Sequence, residues 1–184
     1  MPLCNVIAPN PRILFVGINP SLRSEAAGHH FAGPGNPFWR LLYASRLVPE
    51  PLSFAEDQRL VEFGMALTNL CPRATRAASE LRPKEMKTGL RILDARIRRI
   101  HPAVVAFVGI TLYRYFFGLA ASGGAGAKPE TIHGARVFVL PNPSGLNAAF
   151  PGFADKLLWF KRLRSFESRV AARQTTAYGA GRTV

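Results

Sequence analysis

The sequence predicts an α/β protein, a three-layer α/β/α sandwich with a central, mostly parallel four-stranded sheet. Three observations carry this. Four apolar runs rich in β-branched and aromatic residues, near 13–16, 64–70, 103–108 and 136–140, alternate with segments of helical spacing. That order describes parallel strands covered on both faces. The first and last runs also end in nearly the same word, RILFVGINPS (Arg12–Ser21) and RVFVLPNPSG (Arg136–Gly145). A strand stopped by a Pro-fixed polar turn puts its Asn at the carboxyl edge of the sheet, where open α/β sheets bind ligands. Asn19 and Asn142 are therefore expected to face one crevice.

In chain order, Ile13–Val16 reads as the first strand. The Gly/Pro-rich segment after it, GINPSLRSEAAGHHFAGPGNPFW, is too apolar and aromatic for a linker, and a loop of that length in a compact domain is usually functional or disordered. Asn36 and Pro37 form a helix start, with Asn as the cap and Pro at the first helical position. Ser53 through Phe63 reads as a second short helix with Glu56 at capping-box spacing from Ser53. Gly64–Leu70 is the second strand. Leu90, Leu93, Ile97 and Ile100 then form a helical stripe with Arg91, Arg96, Arg98 and Arg99 off it, and Pro102 stops the helix. Ala103–Val108 is the third strand, followed by a helix through Leu112, Tyr113 and Phe116. Ser122–Glu130 reads as a flexible Gly-rich surface loop. Arg136–Leu140 is the fourth strand, and Phe153–Phe166 is a closing helix.

A chain of 184 residues suits one domain, placed at 1–166, with 167–184 as a basic, flexible tail. Lys and Arg number 24 against 11 Asp and Glu, a formal charge of +13. That excess points to a polyanionic partner, and without a long amphipathic helix to favour a membrane surface, nucleic acid is the better reading. The two cysteines, Cys4 and Cys71, form no CxxC and no framework of pairs, so a zinc site, an iron–sulfur cluster and a disulfide scaffold are not expected. No apolar run reaches membrane-span length, and the start MPLCNVIAPNPR lacks the basic and apolar regions of a secretion signal. The expectation is a soluble, cytoplasmic protein, nucleoid-associated if bacterial.

Several chemistries fit poorly. GINPS matches neither Gly-rich phosphate-loop pattern. Ser21, Ser24 and Ser144, with His29, His30, His101 and His133, offer nucleophiles and bases, but none stands in a nucleophile-elbow motif. The adjacent His29 and His30 lack the H-x-E and CxxC partners of a zinc deaminase. What remains is a site of Asn, backbone amides and aromatics, poor in carboxylates. Such a site suits cleavage of a glycosidic bond whose leaving group is a stabilised anion. Asn19 is able to orient a water through its amide oxygen, although a neutral amide is a poor proton acceptor. As an alternative, Asn19 and Asn142 could serve only as turn caps and Phe31 only as core.

GINPS at 17–21, GHHFAGPGNPFW at 28–39, TNL at 68–70, KEMKTGLRIL at 84–93 and LPNPSGL at 140–146 together resemble the mismatch-specific uracil/thymine DNA glycosylases, a branch of the uracil-DNA glycosylase superfamily. The likeness runs in order over roughly residues 10–165. It implies a monofunctional glycosylase that removes uracil from double-stranded DNA, favouring U opposite G, and leaves an abasic site, with no metal or organic cofactor and a monomeric state. It implies that Asn19 positions the attacking water. Gly17, Ile18 and Phe31 would contact the extruded base, Phe31 by stacking, while Ser24 and His30 would lie near its 5-position. Asn142, Pro143, Ser144, Gly145, Leu146 and Asn147 would enter the duplex, with Leu146 as the wedge that offsets unstacking. Two departures stand out. Ser21 replaces the usual Gly, and Ala148 stands where some bacterial relatives carry Arg. Two rivals are a catalytically weak damage- or abasic-site-binding protein on the same scaffold, and an enzyme acting on a free nucleoside or nucleotide. Dependence of turnover on Asn19 separates the first, and the salt dependence of binding separates the second.

Overall fold

The structure, a computed structural model, describes residues 3–118, 123–144 and 149–179. Its strands are β1 (Ile13–Gly17), β2 (Met65–Asn69), β3 (Val104–Val108), β4 (Gly126–Ile132) and β5 (Ala135–Leu140), in the sheet order β2-β1-β3-β5-β4. The pairs β1–β2, β1–β3 and β3–β5 are parallel, with Gly17 opposite Asn69 and Val16 opposite Phe107. The sheet therefore has five strands, not four. The extra one is β4, antiparallel to β5 on the edge, and it comes from the segment expected as a loop. His133 (φ 49°) and Gly134 (φ 87°) are both left-handed, the geometry of a two-residue hairpin turn. This turn folds the polar stretch AKPETI back onto β5.

The helices are α1 (Leu22–Ala27), α2 (Phe38–Ala44), α3 (Pro83–Ile100), α4 (Ile110–Phe117) and α5 (Phe153–Gly179), with a 3₁₀ segment at Phe54–Phe63. Alternate residues of β1 feed two separate cores. Ile13 and Phe15 pack with Phe38, Leu41 and Leu42 of α2 and with Phe160 and Leu163 of α5. Leu14 and Val16 pack with Leu93 and Ile97 of α3 and with Leu112 and Tyr113 of α4. Each such side chain fully removed from water contributes about 1.5–3 kcal/mol, which explains why the strands are apolar on both faces.

Local chemistry sets the ends. Ser21 caps α1, its hydroxyl accepting from Ser24 N at 3.1 Å, and Gly28 (φ 75°) closes it. This short helix interrupts the segment read as one long loop. The Asn36 side chain caps the Phe38 amide at 3.0 Å, so α2 begins one residue later than the sequence suggests. Glu56 accepts from both the amide and the hydroxyl of Ser53, at 3.0 and 2.9 Å, which anchors the 3₁₀ segment. The closing helix does not end near Phe166. It continues through Glu167–Gly179, Val170 joins the core, and Glu167 Oε2 accepts from Arg12 at 3.2 Å, while 180–184 of the expected tail lie outside the described residues.

Candidate active site

β1, β3 and β5 end side by side, and the chain passes from β2 on one flank of β1 to β3 on the other, so a crevice opens above their carboxyl ends. Its volume is about 720 Å³. Gly17, Ile18, Asn19, Ser24, His30, Phe31, Asn142 and Ser144 all line it, so the two Asn-Pro-Ser turns do face one space. Pro143 is buried and does not line it. Gly145, Leu146 and Asn147, with Ala148, lie outside the described residues. The described residues of the lining include no Asp, Glu, Lys or Cys.

Asn19 follows β1 and is half-buried. Its Nδ2 lies 2.7 Å from the Thr75 hydroxyl, 3.0 Å from the Arg73 carbonyl and 3.1 Å from the Pro20 carbonyl. The nitrogen is committed to protein acceptors, which leaves Oδ1 as an acceptor for a water. The Arg73 carbonyl is itself fixed, because the Arg73 guanidinium donates to Glu85 at 2.6 and 2.9 Å. That pair holds the Glu85 carboxyl well below its ordinary range, at about 2.

The GHHF loop is tied down by buried polar bonds. Asp57, wholly buried in the 3₁₀ segment, accepts from the His30 amide at 2.9 Å and meets His29 Nδ1 at 3.1 Å. The Trp39 indole donates to the His30 carbonyl at 3.1 Å, and Ala32 N donates to Ser24 Oγ at 3.2 Å. Ser24 Oγ therefore accepts from the loop and from the Ser21 hydroxyl. Ser21 sits in extended backbone (φ −73°), so no glycine is needed there. Phe31 adopts φ 52°, and one ring face stacks on Phe38 at 4.0 Å between centroids, leaving the other for the crevice. A left-handed non-glycine residue costs roughly 1–3 kcal/mol and is held only where its surroundings over-determine it.

His30 is buried, and burial pushes its imidazole below the ordinary 6.5. Its Nε2 meets the Cys4 carbonyl at 2.9 Å, and its Nδ1 lies 3.5 Å from Asn69 Nδ2. Asn142 uses Oδ1 to accept the Ser144 amide at 2.9 Å, the turn-capping role weighed as the alternative, while still lining the crevice.

Sequence reasoning missed four contributors. Asn69 and Arg76 line the crevice, Thr75 also lines it and holds Asn19, and Asp57 organises the loop from behind. Asn69 had a readable signal, being a third Asn at the carboxyl end of an apolar run. Arg76 differs from Arg73 in having no hydrogen-bond or ion-pair partner among the described residues, and it leaves a cation on the rim.

Comparison with known proteins identifies the family. The family model for the uracil DNA glycosylase superfamily matches residues 4–164. A G/U mismatch-specific uracil DNA glycosylase of Schizosaccharomyces pombe is 35% identical over 162 residues, covering 83% of this chain and 50% of that protein. The chain thus spans about half the length of this curated relative. The solution NMR structure of a uracil DNA glycosylase candidate from Methanosarcina acetivorans superposes with a TM-score of 0.59 at 19% identity, over 89% of this chain and 97% of that one, a likeness of fold.

Proposed function

The chain belongs to the uracil DNA glycosylase superfamily, and on that premise we propose that it hydrolyses the N-glycosidic bond of uracil in double-stranded DNA, favouring uracil opposite guanine. The observation that carries this is the shared crevice, with Asn19 oriented at one wall, the free face of Phe31 at another and no carboxylate among the described lining. The extruded base stacks on Phe31, and the Asn69 amide meets its Watson–Crick edge. The C1′–N1 bond breaks with its electron pair leaving on the base. A water held by Asn19 Oδ1 bonds to C1′ and gives its proton to solvent. An abasic site remains, and with no lysine in the described lining no amine is placed to capture it. Arg76 on the rim meets a backbone phosphate, and Leu146 fills the vacated stack, a device that offsets the few kcal/mol lost on unstacking.

End-labelled duplexes with one U·G, U·A or T·G pair, treated with the protein and then alkali, test this. Strand breaks only after alkali and strongest for U·G are expected. Failure to cleave any of the three, with salt-sensitive binding intact, overturns the reading in favour of a damage-binding protein.

A further inference from the structure

We infer that His30 is a positioning residue for base selection, its Nδ1 lone pair fixing the polarity of the Asn69 carboxamide and so the hydrogen-bonding pattern offered to an extruded base. This rests on the proposed excision and extends it to how the base is chosen.

A carbonyl only accepts, so the 2.9 Å bond to Cys4 O puts the ring proton on Nε2. The neutral ring then presents Nδ1 as a bare acceptor, and Asn69 Nδ2, 3.5 Å away, is turned toward it. Asn69 Oδ1 lies over Gly17, where a Cβ would stand only 2.5 Å from it. The contact with His30 alone sets the polarity of the amide, and Oδ1 is left as its other end. One Nδ2 hydrogen serves His30, which leaves the other hydrogen and Oδ1 for a ligand. Uracil offers N3–H beside the C4 carbonyl, a donor next to an acceptor, and this pattern fits. Cytosine offers a bare N3 beside an amino group, the reverse pattern, and two like groups then oppose each other.

A second proton on His30 goes to Nδ1. The amide must then turn over to give Oδ1 to His30, and the pattern facing the crevice inverts. The charged and titratable groups around the ring are Asp57, whose carboxylate holds the His30 amide, the neighbouring His29, and the exposed thiol of Cys4. Burial opposes the second proton most strongly and His29 adds to it, while the Cys4 carbonyl and then Asp57 favour it, and with burial prevailing the inversion falls below pH 6.5.

Three measurements test this. Long-range ¹⁵N–¹H spectra of the free protein should show the Nε2–H tautomer at His30, with a Nδ1 shift that moves in Asn69→Ala. Single-turnover uracil excision from U·G duplexes should fall about tenfold per pH unit below a midpoint under 6.5. His30→Asn keeps an acceptor at the Nδ1 position that does not titrate, and should lose this acid fall, whereas His29→Gln should keep it. His30→Gln keeps a donor for Cys4 but no acceptor for Asn69, and should excise about tenfold more slowly or worse at pH 7–8, with cooperative unfolding retained. If His30→Gln fails to fold, the spectra and His30→Asn still decide. A Nδ1–H tautomer, or an acid fall that persists in His30→Asn, overturns the inference while leaving Asn19-dependent excision intact. A wild type that excises no uracil overturns the proposed function instead, and the tautomer and its coupling to Asn69 remain readable without substrate.

Discussion

Gly17 shows how closely the site depends on single atoms. Its backbone needs no glycine freedom, but the Asn69 carboxamide occupies the space that a side chain would fill, with Oδ1 2.5 Å from the position of a Cβ. Gly17→Ala should therefore fold normally and displace the amide, lowering uracil excision by about tenfold to a hundredfold, since a misplacement near 1 Å costs on that order. Single-turnover kinetics beside thermal unfolding check it, and an unchanged rate removes Asn69 from base reading. At this scale the placement of Asn19 and Asn142 at one crevice was legible, because each stands in an Asn-Pro-Ser turn at the end of a strand, while Phe31 was marked only by the family resemblance. The sequence hid Asp57 and Thr75, because nothing in the stretches AEDQ and PRAT shows which side chain reaches across to another loop. The contacts from Asp57 to His30 and from Asn19 to Thr75 span 27 and 56 positions.

Among elements, the segment from Cys71 to Leu81 links β2 to α3 and supplies the wall that holds Asn19. It is clamped to α3 by Arg73 and Glu85. The Arg73 hydrogen bond, with the Arg82 amide second, lowers the Glu85 carboxyl from 4.5 to about 2. A lowered carboxyl contributes stability that is fully present above pH 4.5 and is lost as the pH falls through about 2. Glu85→Gln should remove that part of the acid dependence, which urea unfolding across the same window reads directly. Gly89 lets α3 approach the end of β2, since a Cβ there would meet the Leu70 carbonyl oxygen at 2.5 Å. Backbone cannot step aside as a side chain does, so Gly89→Ala should cost about 1–3 kcal/mol in the same unfolding experiment. Strong periodicity made β1, β3, β5 and α3 legible. β4 was not, because an edge strand of alternating polar residues such as GAKPETI has the composition of a loop, and only pairing with β5 makes it a strand. The continuation of α5 past Phe166 was hidden for a similar reason, its anchors being single residues, Glu167 and Val170, in a polar run.

Taken whole, the molecule joins a rigid apolar frame to a basic exterior. Arg12 exemplifies the frame, donating to the Phe63 and Leu47 carbonyls at 2.8 and 2.6 Å and to Glu167 of α5, so one guanidinium ties the start of β1 to three distant segments. No helix of the described residues is long and apolar enough to cross a membrane, and the formal charge of +13 favours a phosphate backbone as partner. Removing the rim cation with Arg76→Ala should reduce the salt dependence of duplex binding by about 0.9 in log–log slope, the signature of one lost phosphate contact. An identical slope places Arg76 off the DNA. The most direct test of the proposed chemistry separates binding from bond cleavage at Asn19. Uracil release from a U·G duplex under single-turnover conditions, measured beside duplex affinity for wild type and Asn19→Ala, should show affinity kept and the rate lowered by about 10²–10⁴-fold. A mutant that releases uracil at the wild-type rate would contradict the role of the oriented amide and move the chemistry to another part of the crevice.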